Sequence, residues 1–178
     1  KQGESTKVTE GDFQVVGHRA DGSVITDGSS YESRFIPTDI WRITSHDAGN
    51  SGSRLISKFI PGRRFPFPKS LYAVEDCLRF FVADKVDAVV VDFFAGSGTT
   101  AHAVMRLNRQ DHGRRRTISV TNNEVAVDEQ ADLVKAGHRP GDPEWEALGI
   151  CDHITKPRIE AAITGITPAG TKIRGDYR

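Results

Sequence analysis

The run Ala88-Val89-Val90-Val91-Asp92-Phe93-Phe94-Ala95-Gly96-Ser97-Gly98-Thr99-Thr100 decides how the rest of the chain is read. Its β-branched opening predicts a strand buried on both faces, as in a parallel sheet covered by helices. Gly96 and Gly98 predict a tight turn whose backbone approaches a ligand with no Cβ in the way. Thr99 or Thr100 is expected to cap the helix that follows, with its apolar stripe at Ala101, Val104, Met105 and Leu107. A strand entering a helix through such a turn presents unpaired N–H groups to an anion. Gly96 to Ala101 fits the relaxed dinucleotide fingerprint G-x-G-x-x-G/A. The stretch lacks the Gly-Lys-[Ser/Thr] of a P-loop, which argues against a nucleoside triphosphate site.

Downstream, the polar turn Asp111-His112-Gly113-Arg114-Arg115-Arg116 leads to a second predicted strand, Thr117 to Thr121, and then to Asn122-Asn123-Glu124. In nucleotide-binding α/β domains an acid after the second strand accepts hydrogen bonds from ribose hydroxyls. Glu124, 26 residues beyond Gly98, stands near that spacing. It also reads as an exposed acid opening a helix, favoured there by the helix dipole. Strand, glycine turn, helix, strand and acid together make a βαβ half-unit. Upstream, Phe65-Pro66-Phe67-Pro68-Lys69-Ser70 is held extended by its prolines. Ser70 then caps a helix with apolar positions Leu71, Val74, Leu78, Phe81 and Val82. Lys69 reads either as a solvated loop lysine or as a cation for a ligand carboxylate or phosphate.

The 178 residues suit one domain with a sizeable core, and 24 basic residues balance 24 acidic ones, so net charge argues for no acidic partner. No run approaches a membrane span and Lys-Gln-Gly-Glu-Ser is unlike a signal peptide, which implies a soluble, cytoplasmic chain. Cys77 and Cys151 fit no C-x-x-C pattern and read as buried free thiols; the histidines show no H-E-x-x-H spacing, and His102 reads as a packed side chain. Residues 1–60 are expected to form a hairpin and loop segment. Phe13 to Val16 and Ser23 to Ile25 flank the Asp21-Gly22 turn, while Asp27 to Ser30 and Gly49 to Ser53 read as loops. Residues 61–178 form the α/β part. It continues with a helix from about Ala126 to Ala136 stopped by Gly137 and a short helix opened by Asp142-Pro143. A last helix opens at Thr155-Lys156-Pro157-Arg158, with Ile159, Ala162 and Ile163 inward, before a polar tail from Pro168.

Asp92 to Val104 resembles the S-adenosylmethionine-binding motif of DNA amino-methyltransferases, in particular the adenine-N6 enzymes of restriction–modification systems, type III modification subunits included. Phe65 to Leu71 resembles the motif that precedes the cofactor motif in one ordering class of that family. Ile118 to Glu124, Gly141 to Ile150 and Lys156-Pro157-Arg158 resemble later stretches of bacterial members. The resemblance implies a partial Rossmann-like α/β methyltransferase fold binding S-adenosyl-L-methionine. Asp92, Phe93, Phe94, Ala95, Gly96, Ser97 and Gly98 would face its methionine end, with Phe94 either packing on the cofactor or lying in the core. Thr99 and Thr100 would meet its carboxylate, Lys69 and Ser70 would border the same end, and Glu124 would hold the ribose. Residues 1–60 would be the end of a target-recognition region.

The family's catalytic Asp-Pro-Pro-Tyr-type loop, which holds a flipped adenine, has no counterpart in this sequence; Asp142-Pro143-Glu144-Trp145 lacks the second proline and reads as a helix start. With Lys1 rather than Met in first place, the expectation is a cofactor-binding C-terminal piece of a larger DNA methyltransferase, inactive alone. Its partners would be DNA, an upstream catalytic half, and a restriction subunit or a second copy. Arg63-Arg64, Arg114 to Arg116 and Lys156 with Arg158 are the candidate phosphate contacts. The alternatives are a non-catalytic cofactor-sensing or assembly module and, less favoured, a nicotinamide-dependent oxidoreductase domain.

Overall fold

The computed structural model describes residues 7–10, 15–18, 24–26, 32–35, 40–175 and 177. The chain divides into two units, residues 1–42 and 43–178. In the first, β1 (Lys7–Glu10) pairs antiparallel with β4 (Glu32–Phe35), and β2 (Val15–His18) with β3 (Val24–Thr26). The β2–β3 pair is the expected hairpin, with a register shift between Val15 and Gly17 that lengthens one side. Its Asp21-Gly22 turn and the Asp27 to Ser30 loop lie outside the described residues.

The second unit starts at Ile43, not near residue 61. Gly49–Ser53, expected as a loop, is a wide helical turn running directly into helix α1 (Arg54–Phe59). The reason is burial. Leu55, Ile56 and Phe59 carry α1 into a core shared with Leu71, Ala103, Ile154 and Ala161, so the preceding glycines and serines are drawn into the helix that this core orders. Helix α2 (Leu71–Val82) is capped as expected: the Ser70 hydroxyl accepts the Ala73 N–H at 3.3 Å and donates to the Ser45 carbonyl at 2.8 Å. Phe81, expected inward, is 70% exposed; the buried stripe of α2 runs through Leu71, Glu75 and Val82 instead.

Strand β5 (Val89–Asp92), helix α3 (Thr99–Asp111) and strand β6 (Arg116–Ser119) form the βαβ unit, with Val89 opposite Arg116 and Asp92 opposite Ser119 in a parallel pair. This is an α/β arrangement, but β5 is not buried on both faces. Val89 and Val91 stay open, as does Ile118 on β6, because among the described residues the sheet has two strands and only one face is covered. Ala101, Val104 and Leu107 of the expected α3 stripe are buried, and His102 with them, while Met105 is half-buried. Helix α4 (Val127–Lys135) ends in a double hydrogen bond, His138 N–H to Leu133 O and Gly137 N–H to Val134 O, with Gly137 at φ 90°. Trp145 of α5 (Pro143–Glu146) packs with Val125 and Leu133 in a second, smaller core. Helix α6 (Lys156–Thr164) follows the wide turn Cys151–Thr155, so Thr155 is already helical rather than a cap. Its buried positions are Arg158, Ala161 and Ala162, while Ile163 is exposed. The tail folds back: Ile173 is buried and Tyr177 packs edge-on against Phe59. Cys77 is exposed and Cys151 half-buried, because neither lies on the face its helix turns inward.

Two buried arginines tie α2 to its neighbours. Arg115 donates to the carbonyls of Val82 and Ala83, at 2.7 to 3.0 Å, where the α2 dipole favours a cation. Arg106 of α3 meets Glu75 of α2 at 2.6 Å. Burial pushes the Glu75 carboxyl up, but hydrogen bonds from Gln110, Arg106 and Arg79 outweigh it and hold the group below its ordinary 4.5. Breaking such a pair strands a buried charge, so Glu75→Gln is expected to cost about 3–5 kcal/mol at neutral pH, read from urea unfolding. A depressed folded-state value means the stabilisation is complete above the unfolded value of 4.5 and is lost as pH falls through the folded one. The gap between the two proteins therefore closes below that pH.

Candidate functional site: the glycine turn and its supports

At the carboxyl end of β5 the chain leaves the sheet through a turn held by its own polar groups. The Asp92 carboxylate accepts the Phe94 N–H at 3.0 Å, Ala95 N–H donates to Val120 O at 3.1 Å, and Gly98 N–H to Ala95 O at 2.7 Å. Gly96 (φ 48°) and Gly98 (φ 75°) both take the left-handed conformation that the turn requires. Phe93 and Phe94 point outward, at 67% and 94% exposure, so Phe94 is not a core aromatic. Ala95, Ser97 and Thr99 are buried, and Thr100 is half-buried.

The expected threonine cap does not form. Gly98 is the N-cap of α3 and offers no side chain, while the Thr99 hydroxyl is turned inward, 3.1 Å from the Ser97 hydroxyl. Its partner is Arg158, which reaches from α6 and donates through Nη1 to Ser97 O, Ser97 Oγ and Thr99 Oγ1 at 3.0, 3.0 and 2.8 Å. One turn earlier, the Thr155 hydroxyl donates to Gly96 O and to Ile150 O. Ile159 fills the remaining space: a Cβ on Gly98 would lie 3.3 Å from Ile159 Cγ1 and 3.4 Å from Thr155 Cγ2.

The Phe65 to Ser70 motif reaches the turn through Phe65, whose ring edge is 3.1 Å from the place a Gly96 Cβ would occupy. Lys69 is exposed on the loop before α2, and the Ser70 hydroxyl is engaged by the Ala73 N–H and Ser45 O described above. Glu124 is exposed beyond β6, anchored by its carbonyl, which accepts the Ile150 N–H at 2.8 Å. It precedes α4 by three residues, so it does not lie in that helix's first turn; Asp128 and Glu129 do. The neighbouring Asn123 bridges Glu146 and the Asp152 N–H, both at 2.9 Å, and so fastens this loop to α5 and the turn before α6.

Of the basic residues proposed for phosphate, Arg158 and Arg115 are buried and bonded internally. Arg63 donates to Glu129 and to Leu148 O, at 3.0 and 2.7 Å, while Arg64, Arg114 and Arg116 are exposed. Burial, and then the charge of Arg158, push the His102 imidazole down to about 3, and the neutral ring bonds the Tyr177 carbonyl through Nε2. Among the described residues no cluster of His, Cys, Asp and Glu suits a metal ion, and no helix is long and apolar enough to cross a membrane.

Composition and motif spacing passed over Thr155, Arg158, Phe65 and Asn123 as parts of the site. Arg158 did leave a signal. It shares the register of Ala161 and Ala162, so a cation occupies the apolar stripe of its helix.

Residues 9–151 match the family described as DNA methylase, and the chain belongs to that family. It is similar to the type III restriction-modification enzyme EcoPI Mod subunit of Escherichia phage P1, 32% identical over 103 residues, covering 58% of this chain and 15% of the Mod subunit. It is 38% identical to the StyLTI Mod subunit of Salmonella typhimurium over 91 residues, covering 51% and 14% of the two chains. The type II methyltransferase M.KpnI of Klebsiella pneumoniae is 36% identical over 95 residues, covering 53% and 22%. The matched part thus spans less than a quarter of each of these relatives.

The two left-handed glycines Gly98 and Gly137 separate backbone strain from crowding. At Gly137 an added Cβ meets nothing within 4 Å, whereas at Gly98 it meets α6. Gly137→Ala is expected to cost about 1 kcal/mol and Gly98→Ala at least about 2, as strain of about 1–2 kcal/mol is joined by displacement of Ile159. Paired urea denaturation measures the difference.

Proposed function

We propose that this chain is the S-adenosyl-L-methionine-binding part of a DNA methyltransferase, with the N6 amine of adenine as the acceptor in the whole protein. The observation that carries the reading is the carboxyl end of the β5–β6 pair. There, in a chain of the DNA methylase family, the acid Asp92 ends one of two adjacent parallel strands, a glycine turn follows it, and the exposed acid Glu124 lies beyond the other. The donor set fits the cofactor. Glu124 would accept from the ribose hydroxyls, as an acid after the second strand does. The first N–H groups of α3 have no acceptor within the helix and would receive the carboxylate. Asp92 and Lys69 would flank the amino-acid end. Phe93 and Phe94 offer exposed aromatic faces beside the turn.

When bound, the cofactor supplies a fixed sulfonium charge that makes its methyl carbon electrophilic. The protein's part is then to hold donor and acceptor in line and to keep water out. The sequence holds no Asp-Pro-Pro-Tyr-type run, and Asp142-Pro143-Glu144-Trp145 opens the short helix α5, with Asp142 bonded to the Arg139 N–H at 2.8 Å. This favours the view that the chain binds cofactor without itself transferring a methyl group. The similarity to Mod subunits extends the proposal to DNA and a restriction subunit as partners of the whole protein. The same missing run supports the second reading, a cofactor-sensing or assembly module.

Calorimetric titration is expected to show saturable S-adenosylmethionine binding, no competition by NAD, and about tenfold weaker binding for Glu124→Gln, the loss of one charged hydrogen-bond acceptor. Binding of NAD in its place would overturn the reading. Methyl transfer to DNA by this chain alone would overturn the assignment of catalysis to another part.

A further inference from the structure

Arg158 is wholly buried, and among the described residues no carboxylate pairs with it. Its Nη1 carries three hydrogen bonds to Ser97 and Thr99, while Nε and Nη2 are buried with no partner among the described residues. Burying a charge without a counter-charge is costly. The position adds to the cost, because Ser97 and Thr99 bracket the N-cap of α3, where the helix dipole is positive and disfavours a cation. Arg115, by contrast, caps the negative end of α2 and also meets Asp111 at 2.8 Å. A neutral donor could tie the turn down as well as Arg158 does. What the guanidinium adds is positive potential under a helix N-terminus, and an anion at the turn is what would offset it.

The hydroxyl chemistry points the same way. Arg158 occupies lone pairs of both Ser97 Oγ and Thr99 Oγ1, which stand 3.1 Å apart. One hydroxyl hydrogen bonds the other oxygen. The second is left over, polarised by the guanidinium and available to an acceptor. Thr155, three residues before Arg158 on the same helical face, fixes the Gly96 carbonyl, and so aims the N–H groups on the other side of the turn.

We infer that Thr155 and Arg158 are positioning residues for an anionic group bound at the Gly96–Thr99 turn, acting through the Gly96 carbonyl and the Ser97 and Thr99 hydroxyls. The inference rests on the cofactor reading of the turn, in which that group is the carboxylate of S-adenosylmethionine.

The test titrates the whole chain with S-adenosylhomocysteine and with 5′-methylthioadenosine, which keeps the nucleoside and the thioether but lacks the amino-acid end. Arg158→Gln is expected to weaken S-adenosylhomocysteine about tenfold and methylthioadenosine less than about twofold, the scale of one charge-assisted contact. Arg158→Lys, which keeps the charge, recovers part of the loss. Should Arg158→Gln fail to fold by its thermal melt, the near-isosteric Thr155→Val carries the test, with the same selective loss expected and restored by Thr155→Ser. Equal losses for both compounds, or no loss, in a folded variant would overturn the positioning role while leaving the cofactor reading standing. If the unsubstituted chain binds neither compound, the cofactor reading fails and the inference falls with it.

Discussion

The guanidinium of Arg158 is the centre of the side-chain contacts that hold the glycine turn to the rest of the fold. A left-handed Gly98 starts α3 without a side chain to cap it, so the opening of the helix depends on contacts from elsewhere. Those contacts come from α6 and the last residue of the wide turn before it, about sixty residues away in sequence. Thr155 takes the Gly96 carbonyl, Arg158 takes Ser97 and Thr99, and Ile159 closes the space a Cβ would need. The βαβ unit is local in sequence, yet its glycine turn is shaped by residues 155–159.

The buried arginines show two ways of placing a charge inside a small core. Arg106 is met by Glu75, and Arg115 by the carbonyl end of α2 and by Asp111. Both placements follow the ordinary rules of ion pairing and helix dipoles, and their weight falls on stability. Arg158 breaks both rules at once. Desolvation depresses its pKa to about 10, which still leaves it charged at neutral pH. Burial, helped by the same charge, keeps His102 neutral, and the neutral ring bonds the Tyr177 carbonyl.

The outer side of the site is apolar. Phe93 and Phe94 project past the end of β5, and Val89, Val91 and Ile118 keep one face of the two-stranded sheet open. Apolar area of this kind is characteristic of surfaces that receive something. The turn is thus polar beneath, at Ser97, Thr99 and Arg158, and aromatic outside, at Phe93 and Phe94.

Much of this was legible in the residues alone. The order of strand, glycine turn, helix and strand, the Ser70 cap and the Gly137 stop follow from patterns within a few turns of chain, where steric and hydrogen-bonding preferences act locally; the family was legible as a resemblance of whole motifs. The burial of Gly49–Ser53 in a helical turn, the exposure of Phe81 and Ile163, and the boundary at residue 43 were not legible. They depend on which faces find partners across long sequence distances. The clearest case is Lys156-Pro157-Arg158. As sequence it is a basic pair beside a proline; only the tertiary structure decides that Lys156 stays in solvent against Asp152 while Arg158 enters the core beneath the glycine turn. Sequence dictates the presence of a charge. Whether it meets water or a buried hydroxyl is set by the packing around it.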